Sequence, residues 1–342
     1  MNNLKINCER PYGVIISSGA RKYAGYALDG AKKALIVSDE TVFRLYGNGL
    51  KNIVKSAEAE AYTFIFPTGE NGKNKHVLDK LLILMTELDL KKTDCVIAFG
   101  GRSVASLVGF ACKIFKGGIP YMYIPTTLSG MLDLCMEGKA GVDFIGKPDL
   151  LSVRNYPIAV FSDSDYLKTL PAVHFQNGIA EIIRLGMIGD GEMIELMEKE
   201  DPENPLNIDD LIFRALNVKI ALKRKNLLGV RKLDGVGRYA LDFSAIAEKI
   251  VGLKIPYGKL VAYGMVISAE TAMALGLTKD MDERMISLFA KYEIKWDIGI
   301  VTSKLWQTFI KTDKKKITLV LPKAPGKLIV KKMTKEKIKE KF

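Results

Sequence analysis

Short apolar runs alternate with helical periods through the first 165 residues, and this alternation limits the possible folds more than any other feature. GVIISS (13–18), ALIVSD (34–39), YTFIF (62–66), CVIAFG (95–100), YMYIPTT (121–127) and IAVFSD (158–163) read as strands. Helical stretches such as KHVLDKLLILMTELDL (75–90) and VASLVGFACKIFK (104–116) separate them. Near-continuous apolar strands are those buried on both faces, so the pattern predicts a parallel sheet covered by helices. From about residue 166 the periods become helical, near 175–199, 207–226, 240–252, 258–275 and 281–292, with one late strand-like run, ITLVLP at 317–322. The expected architecture is α/β + α: an α/β nucleotide-type domain over 1–165 and an all-α domain over 166–342 with a basic C-terminal helix. Ligands of such sheets sit at the carboxyl ends of the strands, and the cleft between the domains is the expected place.

At 342 residues the chain is long enough for two such cores. Its net charge of +12 resembles a nucleic-acid signature until it is located. Residues 311–342 hold twelve lysines and no arginine against Asp313, Glu336 and Glu340, so nine of those charges lie there. The end, KKMTKEKIKEKF, reads as a solvated terminal helix with a thin seam of Thr334, Ile338 and Phe342, and a nucleic-acid partner is not expected. No run approaches the roughly 18 apolar residues of a membrane span, and MNNLKINCER lacks a signal-peptide core. Cys8, Cys95, Cys112 and Cys135 form no CxxC pair, so reduced thiols and a cytoplasmic protein are expected.

Gly100-Gly101 follows a strand and precedes a helix. Glycines there let backbone approach a pyrophosphate at the positive end of the helix, although a plain turn reads equally well. Ile124-Pro125-Thr126-Thr127-Leu128 places two hydroxyls at a second strand end. GVDFIGK (141–147) has the spacing of a phosphate loop, but Pro148 stands where a magnesium-binding hydroxyl belongs.

These pieces occur in an order that resembles 3-dehydroquinate synthase and the sugar-phosphate cyclases. The resemblance runs through Val37–Val42, Gly69–Lys73, Gly100-Gly101 with Gly109-Phe110, Ile124–Leu128, and Asp133 with Gly138-Lys139. It continues through Leu167–Pro171, Gly178–Arg184, Gly258–Met265 and Asp313–Lys315. It implies a Rossmann-like first domain, bound NAD, a divalent metal and a homodimer. It also implies a reaction in which an alcohol is oxidised, phosphate eliminated, the ketone reduced and a ring closed. By the same resemblance Asp39, Glu70 and Lys73 would hold the adenosine ribose, and Gly100 and Gly101 would pass the pyrophosphate. Thr126, Thr127 and Thr169 would line the dinucleotide, and Asp133, Lys139 and Lys147 would lie where cofactor meets substrate. Lys139, Lys147, Arg184, Arg224 and Arg238 would form a basic shell for a small anionic substrate.

The chain departs from the pattern where the metal belongs. Of one Glu and two His ligands only Glu181 remains; Ala245 and Tyr257 fall where histidines are expected. The chain's two histidines, His76 and His174, both read as surface or capping residues. A neutral Tyr is a poor substitute for imidazole, so the divalent metal is expected to be absent. In the dinucleotide loop a third glycine is replaced by Arg102 and an aspartate by Ser106, which is expected to weaken NAD. Three readings follow. The chain is a diverged member that binds a phosphorylated or carboxylated small molecule, a working synthase with a metal site built from Glu181 and carboxylates such as Asp242 or Glu248, or a non-catalytic interaction subunit.

Overall fold

A computed structural model describes residues 1–67, 72–132, 138–201, 206–224, 235–252, 255–300, 302–311 and 316–341. The chain divides into two compact units, Met1–Leu170 and Pro171–Phe342.

The first unit is built on a 7-stranded sheet. Its strands are β1 (Asn2–Ile6), β2 (Tyr12–Ile16), β3 (Lys33–Asp39), β4 (Glu60–Phe66), β5 (Cys95–Gly100), β6 (Tyr121–Pro125) and, after a separate hairpin, β9 (Ala159–Ser162). The hairpin comprises β7 (Lys139–Phe144) and β8 (Lys147–Arg154). The order in the sheet is β1-β2-β9-β6-β5-β3-β4, with only β1 antiparallel. Every residue of CVIAFG in β5 is buried, as its unbroken apolar run requires at the centre of a doubly covered sheet. Helices α1 (Glu40–Ser56), α2 (Lys75–Glu87), α3 (Arg102–Ile114) and the short α4 (Leu128–Leu132) follow β3, β4, β5 and β6. Asp39 begins α1 by accepting the Thr41 and Val42 amides, and Asn74 begins α2 by accepting that of Val77. The phosphate-loop spacing of GVDFIGK belongs to the turn of the β7–β8 hairpin. Ile145 and Gly146 turn it with φ of 47° and 72°, so the segment makes no loop from strand to helix.

The second unit contains α5 (Ala172–Gly189), α6 (Gly191–Lys199), α7 (Ile208–Arg224), α8 (Leu241–Val251), α9 (Tyr257–Ala274), α10 (Met281–Lys291), α11 (Thr302–Ile310) and α12 (Lys335–Lys341). It also carries an antiparallel hairpin of β10 (Lys316–Ala324) and β11 (Lys327–Thr334), so the helical unit is not purely α. Gly264 of α9 lies against Ala240 and α8; a Cβ there would stand 2.5 Å from Ser244 Oγ, so only glycine admits this approach. Phe243, Trp306 and Phe309 form an aromatic cluster with centroids 5.5–5.8 Å apart, into whose core the fully buried Ile338 of α12 reaches. The basic end is therefore anchored, and Lys331–Thr334 form strand where a continuous helix is expected from the sequence. Among the described residues no helix is long and apolar enough to cross a membrane.

Candidate functional site

The carboxyl ends of β3, β5, β6 and β9 carry Asp39, Gly100-Gly101, Thr126 and Ser162-Asp163. Gly100 cannot be another residue in this backbone, because a Cβ would stand 2.5 Å from Val104 Cγ2. Gly101 caps α3 with no side chain across its N-terminus, and a Cβ there would meet Thr127 Cγ2 at 3.2 Å. Asp39 gives Oδ1 to the cap of α1, while its Oδ2 lies beside Gly100. Thr126 is 4% exposed, and its Oγ1 is a buried hydroxyl with no partner among the described residues. Thr127 Oγ1 accepts the Gly130 amide, and Thr169 meets the Tyr46 hydroxyl. A bare helix N-terminus, a cradle that a Cβ would fill and an orphaned hydroxyl suit a pyrophosphate, so this corner fits a dinucleotide.

The flanking residues are arranged differently from the sequence expectation. Lys73, expected at a ribose, is buried; its Nζ lies 2.5 Å from Asp149 Oδ1 and 3.2 Å from Asp143 Oδ1. Lys139 and Arg102 turn to the same Asp149, at 3.3 and 3.6 Å from Oδ2. Burial alone would raise the Asp149 carboxyl, but Lys73 and Lys139 outweigh it and hold the group below its ordinary range. Arg102 thus leans toward the hairpin, with its side chain more than half exposed. Lys147 is exposed at the start of β8. Ser106 does not leave a gap where an aspartate is expected: Oγ donates to Gly141 O at 2.8 Å and accepts the Gly141 amide at 2.9 Å, fastening α3 to β7. Glu70 and Asp133 lie outside the described residues.

In the second unit Glu181 sits on α5, 7% exposed. Arg184, one turn later, donates Nε–H to Oε2 and Nη2–H to Oε1, both at 2.8 Å. Lys219 Nζ of α7 lies 3.4 Å from Oε1, and the Tyr257 hydroxyl donates to Oε2 at 3.4 Å. Tyr257 is brought there by close helix contact: the Gly258 amide donates to Asn177 Oδ1 at 2.7 Å, and a Cβ on Gly258 would stand 2.8 Å from Asn177 Cα. Burial alone would raise Glu181; Arg184 and Lys219 overcome it and bring the carboxyl down to about 2. The Arg184 and Lys219 side chains are themselves 7% and 5% exposed, so two buried cations share one carboxylate. Tyr239, fully buried nearby, carries a hydroxyl without a partner among the described residues, and burial raises it.

This donor set does not fit a divalent metal. Both Glu181 oxygens already accept from cations, Ala245 is exposed on α8, and Asp242 is paired with Arg238. His174 is exposed at the start of α5, and His76 belongs to the other unit. Among the described residues no group of three His, Cys, Asp or Glu side chains could hold an ion. Arg224 is exposed at the end of α7, away from Glu181, because five residues beyond Lys219 turn the helix about 140°. Lys219 and Asp149, the partners that organise the two sites, carry no local motif; each is found only by the fold.

The fold is that of the sugar phosphate cyclases, an α/β unit followed by a helical one. Two family models cover adjacent stretches, the 3-dehydroquinate synthase N-terminal domain at residues 63–177 and its C-terminal domain at 178–316; the chain belongs to this family. The 3-dehydroquinate synthase of Prochlorococcus marinus (strain AS9601) is 32% identical over 306 residues, 86% of this chain and 84% of that protein. That of Helicobacter pylori (strain G27) is 30% identical over 305 residues, 86% of each. Among solved structures, the 2-epi-5-epi-valiolone synthase ValA from Streptomyces hygroscopicus subsp. jinggangensis 5008, with NAD+ and Zn2+ bound, superposes with a TM-score of 0.80. Its identity is 22%, covering 98% of this chain and 97% of that one. A 2-deoxy-scyllo-inosose synthase complexed with carbaglucose-6-phosphate, NAD+ and Co2+ gives 0.80 at 18% identity, covering 99% and 98%.

Proposed function

We propose that this chain is a diverged member of the family that binds a phosphorylated or carboxylated small molecule and does not carry out the metal-dependent cyclase reaction. The observation that carries the reading is the Glu181 carboxylate, closed by Arg184 and Lys219 in a buried site. A metal ion in such a reaction polarises the alcohol and holds alkoxide charge, a contribution of several kcal/mol. Here the one matching ligand is neutralised by side chains, and Ala245 and Tyr257 add no donor comparable to imidazole.

NAD stands differently. The Gly100-Gly101 corner, Thr126 and Asp39 would hold it, and it would supply a hydride acceptor and donor when bound. Lys73, turned to Asp149 and Asp143, is not counted among these groups. Lys139 and Lys147 in the first unit, and Arg238 in the second, are the basic groups of this reading. Assembly as a homodimer belongs to the same reading.

A thermal-shift screen with NAD, ADP, sugar phosphates and inorganic phosphate, run beside a phosphate-release assay with NAD and added zinc or cobalt, tests it. The expected result is a raised melting temperature with anionic ligands and no phosphate release above background with either metal. Metal-dependent release would establish a working synthase instead. No shift with any ligand would favour a non-catalytic subunit.

A further inference from the structure

We propose that Arg102, Lys139 and Lys73 form a phosphate site in the first unit, that Asp149 fills it as an internal anion, and that a ligand's phosphate binds by displacing the Asp149 carboxylate. This rests on the reading above that the chain binds a phosphorylated small molecule.

The three cations come from three separate elements. Lys73 lies in the turn ahead of α2, Arg102 in the first turn of α3, and Lys139 at the first residue of β7. What they share is one carboxylate, with Lys73 on Oδ1 at 2.5 Å and Lys139 and Arg102 on Oδ2 at 3.3 and 3.6 Å. Their engagement is unequal. Lys139 and Arg102 are 56% and 58% exposed, and exposed ion pairs at such distances hold weakly. Lys73 is 2% exposed and keeps a second carboxylate, Asp143, at 3.2 Å. Its charge therefore stays partly compensated when Asp149 leaves. With Asp149 withdrawn, Lys73 keeps Asp143, while Lys139 and Arg102 lose the carboxylate they turn to, and a ligand's phosphate takes its place between them.

The position suits that ligand in other ways. Arg102 opens α3, a helix of 13 residues whose N-cap, Gly101, offers no side chain to the free amides. A guanidinium beside a helix N-terminus is a strong phosphate partner. The Asp149 side chain can leave without unravelling the strand, since its own amide stays bonded to Asp143 Oδ1 at 2.8 Å. Asp149 also sits at φ 49°, in a hairpin whose turn holds the β-branched Ile145 at φ 47°. A depression of about 440 Å³ lies at the tip of this hairpin, lined by Phe144, Ile145 and Pro148 on one side and Asn74 and His76 on the other. The hairpin itself stays fastened by the Asn74–Asp143 bridge and by Ser106, so the Asp149 side chain can leave while the strand remains in place. In the same position a ligand phosphate offers more acceptor oxygens than the carboxylate it replaces.

Calorimetry on the full chain, with pyrophosphate and ADP as probes and adenosine as the uncharged control, tests the site in wild type, Asp149→Asn, Arg102→Ala and Lys139→Ala. Asp149→Asn should bind both anions about tenfold more tightly than wild type, while Arg102→Ala and Lys139→Ala should each bind about tenfold more weakly. Adenosine affinity should not respond to Asp149. If wild type binds the anions and a folded Asp149→Asn binds them no better, the internal-anion site is wrong while the broader reading stands. If neither protein takes up either anion, both fail. Should Asp149→Asn not fold, the exposed Arg102 decides: unchanged ADP affinity in Arg102→Ala overturns the site.

Discussion

Arg184 closes both oxygens of Glu181 from one turn along the same helix, through Nε and Nη2 at 2.8 Å each. Lys219 adds a second buried cation from a neighbouring helix. A divalent ion would bring two positive charges to such a carboxylate; here a guanidinium and an ammonium supply them. The buried Glu181 carboxylate thus takes its counter-charge from the protein's own side chains.

Glu181→Gln should therefore be costly although it is nearly isosteric. It takes the Glu181 charge away from two buried cations, Arg184 and Lys219, a loss of about 3–5 kcal/mol. Urea denaturation at neutral pH should show that loss, and a variant as stable as wild type would mean the pair carries no structural weight.

The same pair sets an acid limit. The Glu181 carboxyl is lowered from 4.5 to about 2 in the folded chain, so its contribution is complete above the unfolded value. It is lost as pH falls from about 4.5 toward 2, and amounts to about 3 kcal/mol. Stability measured from pH 6 to pH 2 should fall less steeply in Glu181→Gln than in wild type over that window.

Ser106→Ala should lower the melting temperature without touching any ligand. It removes a hydroxyl that bonds both the amide and the carbonyl of Gly141 in a buried seam, leaving two backbone groups unpaired at about 1–3 kcal/mol each. An unchanged melting temperature would show that water or a local shift takes over both bonds.

The sheet was legible in the sequence because CVIAFG, ALIVSD and YMYIP are buried on both faces and therefore read as unbroken apolar runs. Strand β8 was not, since KPDLLSVR lies largely exposed and carries no alternation to reveal it. Strand β11 was hidden inside a lysine-rich run, where Lys331 and Lys332 pair with Leu319 and Thr318 instead of continuing a helix. At the site, Glu181 and Arg184 were named through the family resemblance, Arg184 for a substrate anion, whereas it turns to Glu181. Lys219 was not legible, because its partner lies 38 positions earlier and only the packing of α7 on α5 brings them together. Asp149 was missed for the same reason: its three cations come from three different elements.

Removal of residues 335–342 should destabilise the second unit and not merely strip charge. Ile338 is fully buried against the cluster of Phe243, Trp306 and Phe309, so the deletion forfeits a core side chain worth about 2–5 kcal/mol. Replacing Lys337, Lys339 and Lys341 with Gln keeps Ile338 and should leave the melting temperature within about a degree or two. Equal effects of the two changes would show that charge and not packing governs this end.

Metal content tests the central claim most directly. Elemental analysis of the freshly purified chain, repeated after incubation with zinc or cobalt and desalting, should find no stoichiometric divalent ion, in wild type and in Glu181→Gln alike. One tightly bound ion per chain in wild type, lost in Glu181→Gln, would contradict the account and place a metal where Arg184 and Lys219 now close the carboxylate.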